Sequence, residues 1–133
     1  MIRKIIAVIV GILAAATIFI AVQSVGAMVF PIPNDLVFSD KQGVKGMMAS
    51  FPPAAILLLA IGYILGSFAA GWLSTVIGRP ENATLSVIVG VILTFGWVVN
   101  IASIPHPLWM AISGFFLFVP FTILGYNMAK LEK

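Results

Sequence analysis

The sequence predicts an all-α protein built as a bundle of four transmembrane helices. Four long apolar stretches without a single charged residue fill most of the chain. Each reaches the roughly 20 residues that a helix needs to cross the hydrocarbon core of a bilayer. Water is excluded from that core, so a spanning segment must satisfy its own backbone, which forces an α-helix. The predicted helices are about Ile5–Phe30, Ala54–Ile77, Ala83–Ile104 and Leu108–Ala129.

Composition supports the same class and limits the partners. The 133 residues are 62% hydrophobic and 8% charged, whereas soluble domains carry about 25% charged residues. Because no polar block is long enough for a second domain, residues 1–133 are expected to form a single integral membrane domain. The formal charge of +3 is spread over the ends and loops, so nucleic acid is not an expected partner. Cysteine is absent, and no cofactor is predicted.

The placement of lysine and arginine predicts the topology. If the N-terminus is cytoplasmic, five basic residues lie on that side and two on the other, and basic loops favour the cytoplasm. The chain is therefore expected in the cell (inner) membrane as a multi-pass protein with both termini cytoplasmic. The five are Arg3, Lys4, Arg79, Lys130 and Lys133, and the two are Lys41 and Lys45. The basic start also resembles a secretion signal, but its apolar run exceeds the usual 7–15 residues, so a retained first helix is predicted.

The segment between the first two predicted helices contains a short amphipathic pattern. Its apolar residues fall at positions i, i+3, i+4 and i+7, namely Val44, Met47, Met48 and Phe51. This spacing predicts an interfacial helix over about Asp40–Ser50 with Ser39 as its N-cap. An irregular loop is the alternative, because two glycines weaken a helix here.

Small residues on the second predicted helix indicate that it is the packing centre. Gly62 and Gly66 form a GxxxG motif, which lets two helix backbones approach closely. A second stripe lies over about 100° away around the helix, so the helix is expected to contact two neighbours. The predicted packing residues are Gly62, Gly66, Ser67, Gly71, Ser74 and Gly78.

The connection after this helix predicts a tight antiparallel hairpin. Gly78 suits the C′ position of one helix, Pro80 the first position of the next, and Glu81 its positive end. In the last helix, Pro120 is expected to produce a kink.

A faint internal repeat suggests that a two-helix hairpin was duplicated. Residues 8–11 and 87–90 share the sequence Val-Ile-Val-Gly. In addition, Gly71 lies as far beyond Pro53 as Gly125 lies beyond Pro107. Such a duplication would place two parallel repeats about an axis along the membrane normal. Chance similarity between apolar sequences is the alternative.

No ionisable residue lies within the predicted spans, which argues against a pump that carries protons on its own carboxylate. The small multidrug resistance transporters have a similar size and helix number but use a glutamate in the first helix, which this chain lacks. His106 is the only histidine. A metal site needs several converging ligands, so we interpret His106 as a turn residue rather than a metal ligand or pH sensor.

One set of polar residues is predicted to share the outer half of the bundle. It comprises Gln23, Ser24, Tyr63, Asn100, Ser103 and Ser113. These residues would either line a pocket for a polar solute or lipid headgroup, or join the helices by hydrogen bonds worth about 0.6–2 kcal/mol each. The structural interpretation is favoured.

These features predict a non-enzymatic function. Without intramembrane charge or a catalytic set, and with small-residue stripes suited to helix contacts, the leading hypothesis is a structural or accessory subunit of a larger membrane protein complex. The alternative is a small homo-oligomeric transporter or channel for a polar solute.

Cysteine labelling tests the predicted topology. Because the chain has no native cysteine, Gln42→Cys and Lys130→Cys each report a single position. An impermeant maleimide is expected to label them from opposite sides of the membrane, since three predicted spans separate them. Labelling of both from one side would contradict the four-span topology.

Overall fold

The predicted all-α bundle is confirmed. A computed structural model describes residues 1–31, 40–103 and 105–132, and these contain helices but no strand. The five helices are α1 (Ile2–Val29), α2 (Lys41–Ser50), α3 (Pro53–Gly78), α4 (Thr84–Ser103) and α5 (Leu108–Leu131). Four of them, all but α2, are long and apolar enough to cross a membrane. The chain therefore has the form of a multi-pass integral membrane protein.

The short helix α2 forms where the amphipathic pattern predicts it. The Asp40 carboxylate accepts a hydrogen bond from the Gln42 amide at 3.1 Å and so caps the helix. The predicted cap, Ser39, lies outside the described residues. Val44 is buried although α2 is otherwise mostly exposed, which shows that α2 lays its apolar face on the bundle.

Helix α3 is the centre of the bundle. It packs along α1 on one side and along α5 on the other, while α4 packs mainly on α5. Among the helix pairs in contact, α1 and α4 share the sparsest contact. We call the end that carries α2 the α2 end, and the end that carries both chain termini the terminal end.

The closest backbone approach joins α3 and α5 at two glycines. A Cβ added to Gly71 would overlap the carbonyl of Thr122, and a Cβ added to Gly125 would overlap the carbonyl of Phe68. In each helix the carbonyl lies three residues before the glycine, so the two contacts are equivalent. Because α3 and α5 both begin at the α2 end, this is a crossing of parallel helices in which only glycine fits at the contact.

The GxxxG motif faces α1, but its glycines receive side chains rather than a backbone. A Cβ on Gly62 would meet Val22, and one on Gly66 would meet the ring of Phe19. The backbone of α1 approaches α3 further along, where a Cβ on Gly11 would lie 2.9 Å from the carbonyl oxygen of Ala70. The motif thus accommodates large α1 side chains instead of allowing the two backbones to meet.

The duplication stays a prediction, since its two sequence matches differ in structure. The Gly71 and Gly125 match coincides with the equivalent contacts described above. The other match does not, because Gly11 packs on Ala70 of α3 whereas Gly90 packs on Val119 and Thr122 of α5. The α5 equivalent of Ala70 would be Leu124, so the two hairpins differ in register.

The connection between α3 and α4 differs from the tight turn that the sequence predicts. Gly78 is the last residue of α3, and Arg79 instead adopts the left-handed conformation at φ 47°. The glycine is needed for packing, because a Cβ there would overlap Leu85 of α4. Pro80 and Glu81 precede α4 rather than beginning it. The Asn82 side chain accepts a hydrogen bond from the Thr84 amide at 3.1 Å where α4 starts.

Two basic side chains close the terminal end. Arg3 Nε donates to the carbonyl of Ile77 at 2.6 Å, and Lys130 Nζ donates to the carbonyl of Pro80 at 2.6 Å. These carbonyls belong to the last turn of α3 and the connection after it, where a helix leaves acceptors unpaired. The first and last helices are thereby both tied to the connection between α3 and α4.

A buried polar cluster lies near the α3–α5 crossing. The hydroxyls of Ser74 and Thr75 donate to the carbonyl of Gly71 at 3.0 and 2.7 Å, and Ser86 of α4 bonds to Thr75 at 3.2 Å. Ser67 is equally buried, but its hydroxyl has no hydrogen-bond partner among the described residues. These hydroxyls therefore differ in what each contributes to stability.

Alanine substitutions of glycine test the crossing. Gly71→Ala and Gly125→Ala should each lower the free energy of unfolding by about 1–3 kcal/mol, because the added methyl groups overlap backbone that cannot move aside. Gly96→Ala is the matched control, since a Cβ there meets nothing within 4 Å. It should be neutral or slightly stabilising. Equal thermal stability of all three variants in detergent would contradict the crossing.

Two serine substitutions test the buried hydroxyls. Ser67→Ala should raise the free energy of unfolding, by about 1 kcal/mol, because it removes a buried hydroxyl without a partner. Ser86→Ala removes the bond to Thr75 and should lower it by about 0.6–1 kcal/mol. Unfolding by denaturing detergent measures both. A loss of stability in Ser67→Ala as large as that in Ser86→Ala would show that Ser67 is hydrogen-bonded.

Candidate functional site

A cavity of about 230 Å³ lies at the α2 end of the bundle. All five helices contribute to its wall, as does the turn between α4 and α5. The described lining residues are Gln23, Gly26, Ala27, Phe30, Val44, Met47, Phe51, Ala55, Leu59, Tyr63, Asn100, His106 and Met110. We call this cavity the α2-end pocket.

The polar groups of the pocket come from different elements. Gln23 lies on α1, Tyr63 on α3, Asn100 on α4, and His106 on the turn before α5. The Gln23 side chain approaches the Tyr63 hydroxyl. Each of the four groups can donate a hydrogen bond, and none is a carboxylate or an ammonium group.

The amphipathic helix α2 supplies part of the apolar wall. Val44 and Met47 line the pocket from α2, and Phe51 lines it from the residue after the helix. On the opposite side of the pocket, Leu59 and Met110 continue the apolar surface on α3 and α5. The pocket is therefore an apolar chamber with a few polar groups, which is the usual composition of a small-molecule site.

A cluster of aromatic rings supports the pocket from below. The Tyr63 ring meets those of Phe19, Trp97 and Phe118 at centroid distances of 5.2, 5.4 and 5.8 Å. The His106 ring lies 5.2 Å from Trp97 in an edge-on arrangement. Such edge and tilted contacts are the preferred geometry of aromatic pairs. We call Phe19, Tyr63, Trp97 and Phe118 the aromatic floor.

Glycines make room for the largest rings of the floor. A side chain on Gly66 would overlap the Phe19 ring, and one on Gly114 would overlap the Trp97 indole. Trp97 is only 4% exposed, and its Nε1 donates to the carbonyl of Ala111 at 3.1 Å. Since Trp97 is held by both packing and a hydrogen bond, the position of His106 against it is also defined.

Half of the polar residues predicted from the sequence converge in the pocket. Gln23, Tyr63 and Asn100 line it, whereas the three serines do not. The hydroxyls of Ser24, Ser103 and Ser113 are exposed and donate to carbonyls four residues earlier in their own helices, at 2.7–2.9 Å. These serines therefore form neither the predicted pocket nor interhelical hydrogen bonds.

Sequence reasoning missed two parts of the site. His106, interpreted as a turn residue, is half-buried and lines the pocket. Its position six residues after Asn100, on the turn that follows α4, is a signal that would have placed both at one level of the bundle. The contribution of α2 to the pocket wall was also missed, because an amphipathic pattern does not distinguish a helix on a membrane surface from one on a protein surface.

The six predicted packing residues are all buried along α3. Gly62 and Gly66 face α1, Gly71 faces α5, and Gly78 packs against α4, as described above. None of the six is among the described residues that line the pocket.

The described lining residues can form hydrogen bonds and apolar contacts. None of the described lining residues is acidic, and within residues 1–31, 40–103 and 105–132 no group of three or more metal-ligating side chains is close enough to hold an ion. What the pocket can do is donate hydrogen bonds to a ligand and surround it with apolar and aromatic side chains. Comparison of the chain with protein-family models, curated proteins and solved structures gave no match.

Proposed function

We propose that this protein is a non-enzymatic membrane protein, an accessory subunit of a larger membrane assembly, whose α2-end pocket holds a ligand rather than passing it across. One observation carries the proposal: the bundle is filled with packed side chains below the pocket. The aromatic floor lies beneath it, and the glycine crossing of α3 and α5 lies beneath the floor.

The packing below the pocket supports binding over conduction. At the crossing, the methyl group of a single alanine would already overlap the backbone of the neighbouring helix. The described hydroxyls in this region bond to the Gly71 carbonyl, to one another or, in Thr122, to a carbonyl of their own helix. Ser67 is buried without a described partner. A solute that crossed within one copy would have to separate these contacts, so the bundle is better suited to support a partner than to transport.

The non-enzymatic part of the proposal rests on the chemistry of the pocket. The described polar groups of the pocket are two amides, a phenol and an imidazole. The described lining residues include no carboxylate, a group that often serves as a general acid or base. Hydrogen bonding to a ligand needs no such group.

The alternative is a small homo-oligomeric transporter or channel for a polar solute. It is favoured by the polar groups that face the pocket, notably Gln23 and Asn100. In that case the path across the membrane would form between copies of the chain, and the pocket would be its entrance. For either function we expect the cell (inner) membrane, cytoplasmic termini, and other membrane subunits or further copies as partners.

Native purification tests the leading proposal. After mild extraction, an accessory subunit is expected to co-migrate with other membrane proteins, which can be identified directly. The alternative function predicts an assembly that contains this chain alone. A pure homo-oligomer that carries a solute into liposomes would contradict the accessory role.

Asn100→Leu distinguishes a structural amide from a site amide. If Asn100 serves the pocket, the variant should lose ligand binding or solute flux while its stability falls by less than about 1 kcal/mol. Ser113→Ala is the control, because that hydroxyl bonds within its own helix and should change neither. Paired measurements of unfolding and of liposome flux compare the two losses. A large loss of stability with unchanged flux would assign Asn100 to helix packing.

A further inference from the structure

The pocket is suited to a neutral ligand. None of its described lining residues is aspartate, glutamate, lysine or arginine. From these described side chains a charged headgroup would gain no ion pair, and moving it from water to an apolar wall is costly. Zwitterionic and anionic phospholipid headgroups are disfavoured for this reason.

The polar groups of the pocket indicate a ligand with hydrogen-bond acceptors. The Gln23 and Asn100 amides and the Tyr63 hydroxyl can donate, and they come from three separate helices, α1, α4 and α3. A rigid headgroup with oxygen atoms on opposite edges can accept from more than one of them. Carbonyl oxygens on a ring meet this requirement.

The wall also favours a flat ring. Four described lining residues contribute rings, namely Phe30, Phe51, Tyr63 and His106. Tyr63 belongs to the aromatic floor, and His106 contacts Trp97 of the floor. Aromatic side chains gain from offset or edge contacts with another flat ring. An acyl chain or a glycerol headgroup would fill the same space without this gain.

The size of the pocket fits a headgroup and not a whole lipid. Its 230 Å³ is below the roughly 300–1,000 Å³ of pockets for drug-sized ligands. A hydrophobic tail must therefore leave the pocket. We place the tail between α1 and α4, the helices that carry Gln23 and Asn100, because theirs is the sparsest contact among the helix pairs that touch.

We propose that the α2-end pocket binds the headgroup of a lipid-soluble quinone, a neutral ring with carbonyl oxygens and a hydrocarbon tail. The inference rests on the pocket being a binding site, as proposed above, and adds the class of ligand. Binding alone is proposed, with the ring carbonyls accepting hydrogen bonds from the pocket amides and the ring lying among the aromatic side chains.

Trp97 provides a reporter for the test. It contacts Tyr63 and His106, which both line the pocket. Trp72 is bonded to Glu132 at the terminal end, and Trp109 is exposed. Trp72→Phe combined with Trp109→Phe therefore leaves one indole beside the pocket. We would reconstitute this variant in phosphatidylcholine nanodiscs and titrate it with decylubiquinone, since quinones quench indole fluorescence at short range.

The expected result is quenching that saturates with quinone content. Adding Gln23→Ala should raise the half-saturating content about three- to tenfold, which corresponds to one lost hydrogen bond. Ser24→Ala is the matched control on the neighbouring residue and should leave the titration unchanged. Asn100→Leu should repeat the effect of Gln23→Ala from the other side of the pocket. Thermal unfolding confirms that each variant is folded.

Three results would overturn the inference. The first is quenching that rises linearly and equally in all variants, as it does for a membrane-dissolved indole ester. The second is displacement of the quinone by dioleoylglycerol at equal content, which would show that the ring is not recognised. The third is displacement by phosphatidylglycerol, which would show that a charged headgroup is preferred. Each leaves the accessory role to be decided separately by native purification.

Discussion

The contact between α3 and α5 at Gly71 and Gly125 is the constraint on which the bundle depends. Two parallel helices meet there backbone to backbone, with each glycine against a carbonyl of the other helix. Membrane helices associate through such close packing because lipid tails offer no hydrophobic driving force. The crossing holds the two central helices together, and α1 and α4 then pack on their flanks.

The pocket follows from a change in side-chain size along these helices. Small residues and hydroxyls fill the space near the crossing, whereas Tyr63 and Phe118 project from α3 and α5 nearer the α2 end. The larger rings, together with Trp97, close the bundle below the pocket. Beyond them the described wall consists of apolar side chains and four polar side chains, and α2 contributes Val44 and Met47 to it. The change in side-chain size thus places the pocket at the α2 end.

The polar residues fall into two groups according to where each side chain finds a hydrogen-bond partner in an apolar environment. A serine in a helix can donate to a carbonyl of its own preceding turn, as Ser24, Ser103 and Ser113 do. Such a residue needs no neighbour and can lie at any position around the helix. The amides of Gln23 and Asn100 carry both donors and acceptors, and both lie at the pocket. Residue type is therefore a better predictor than polarity alone of which polar groups converge.

The sequence by itself determined the fold class, the four spans and the short helix α2, because each depends on length and periodicity within one segment. It also identified Gly71 and Gly125 as matching positions, without showing that they meet. The tertiary structure decided which helix each glycine faces, why Gly78 packs while Arg79 turns the chain, and that His106 joins Gln23, Tyr63 and Asn100. Those outcomes depend on the rotation and register of one helix against another. An almost uniformly apolar surface leaves both unspecified until the side chains of separate helices interlock.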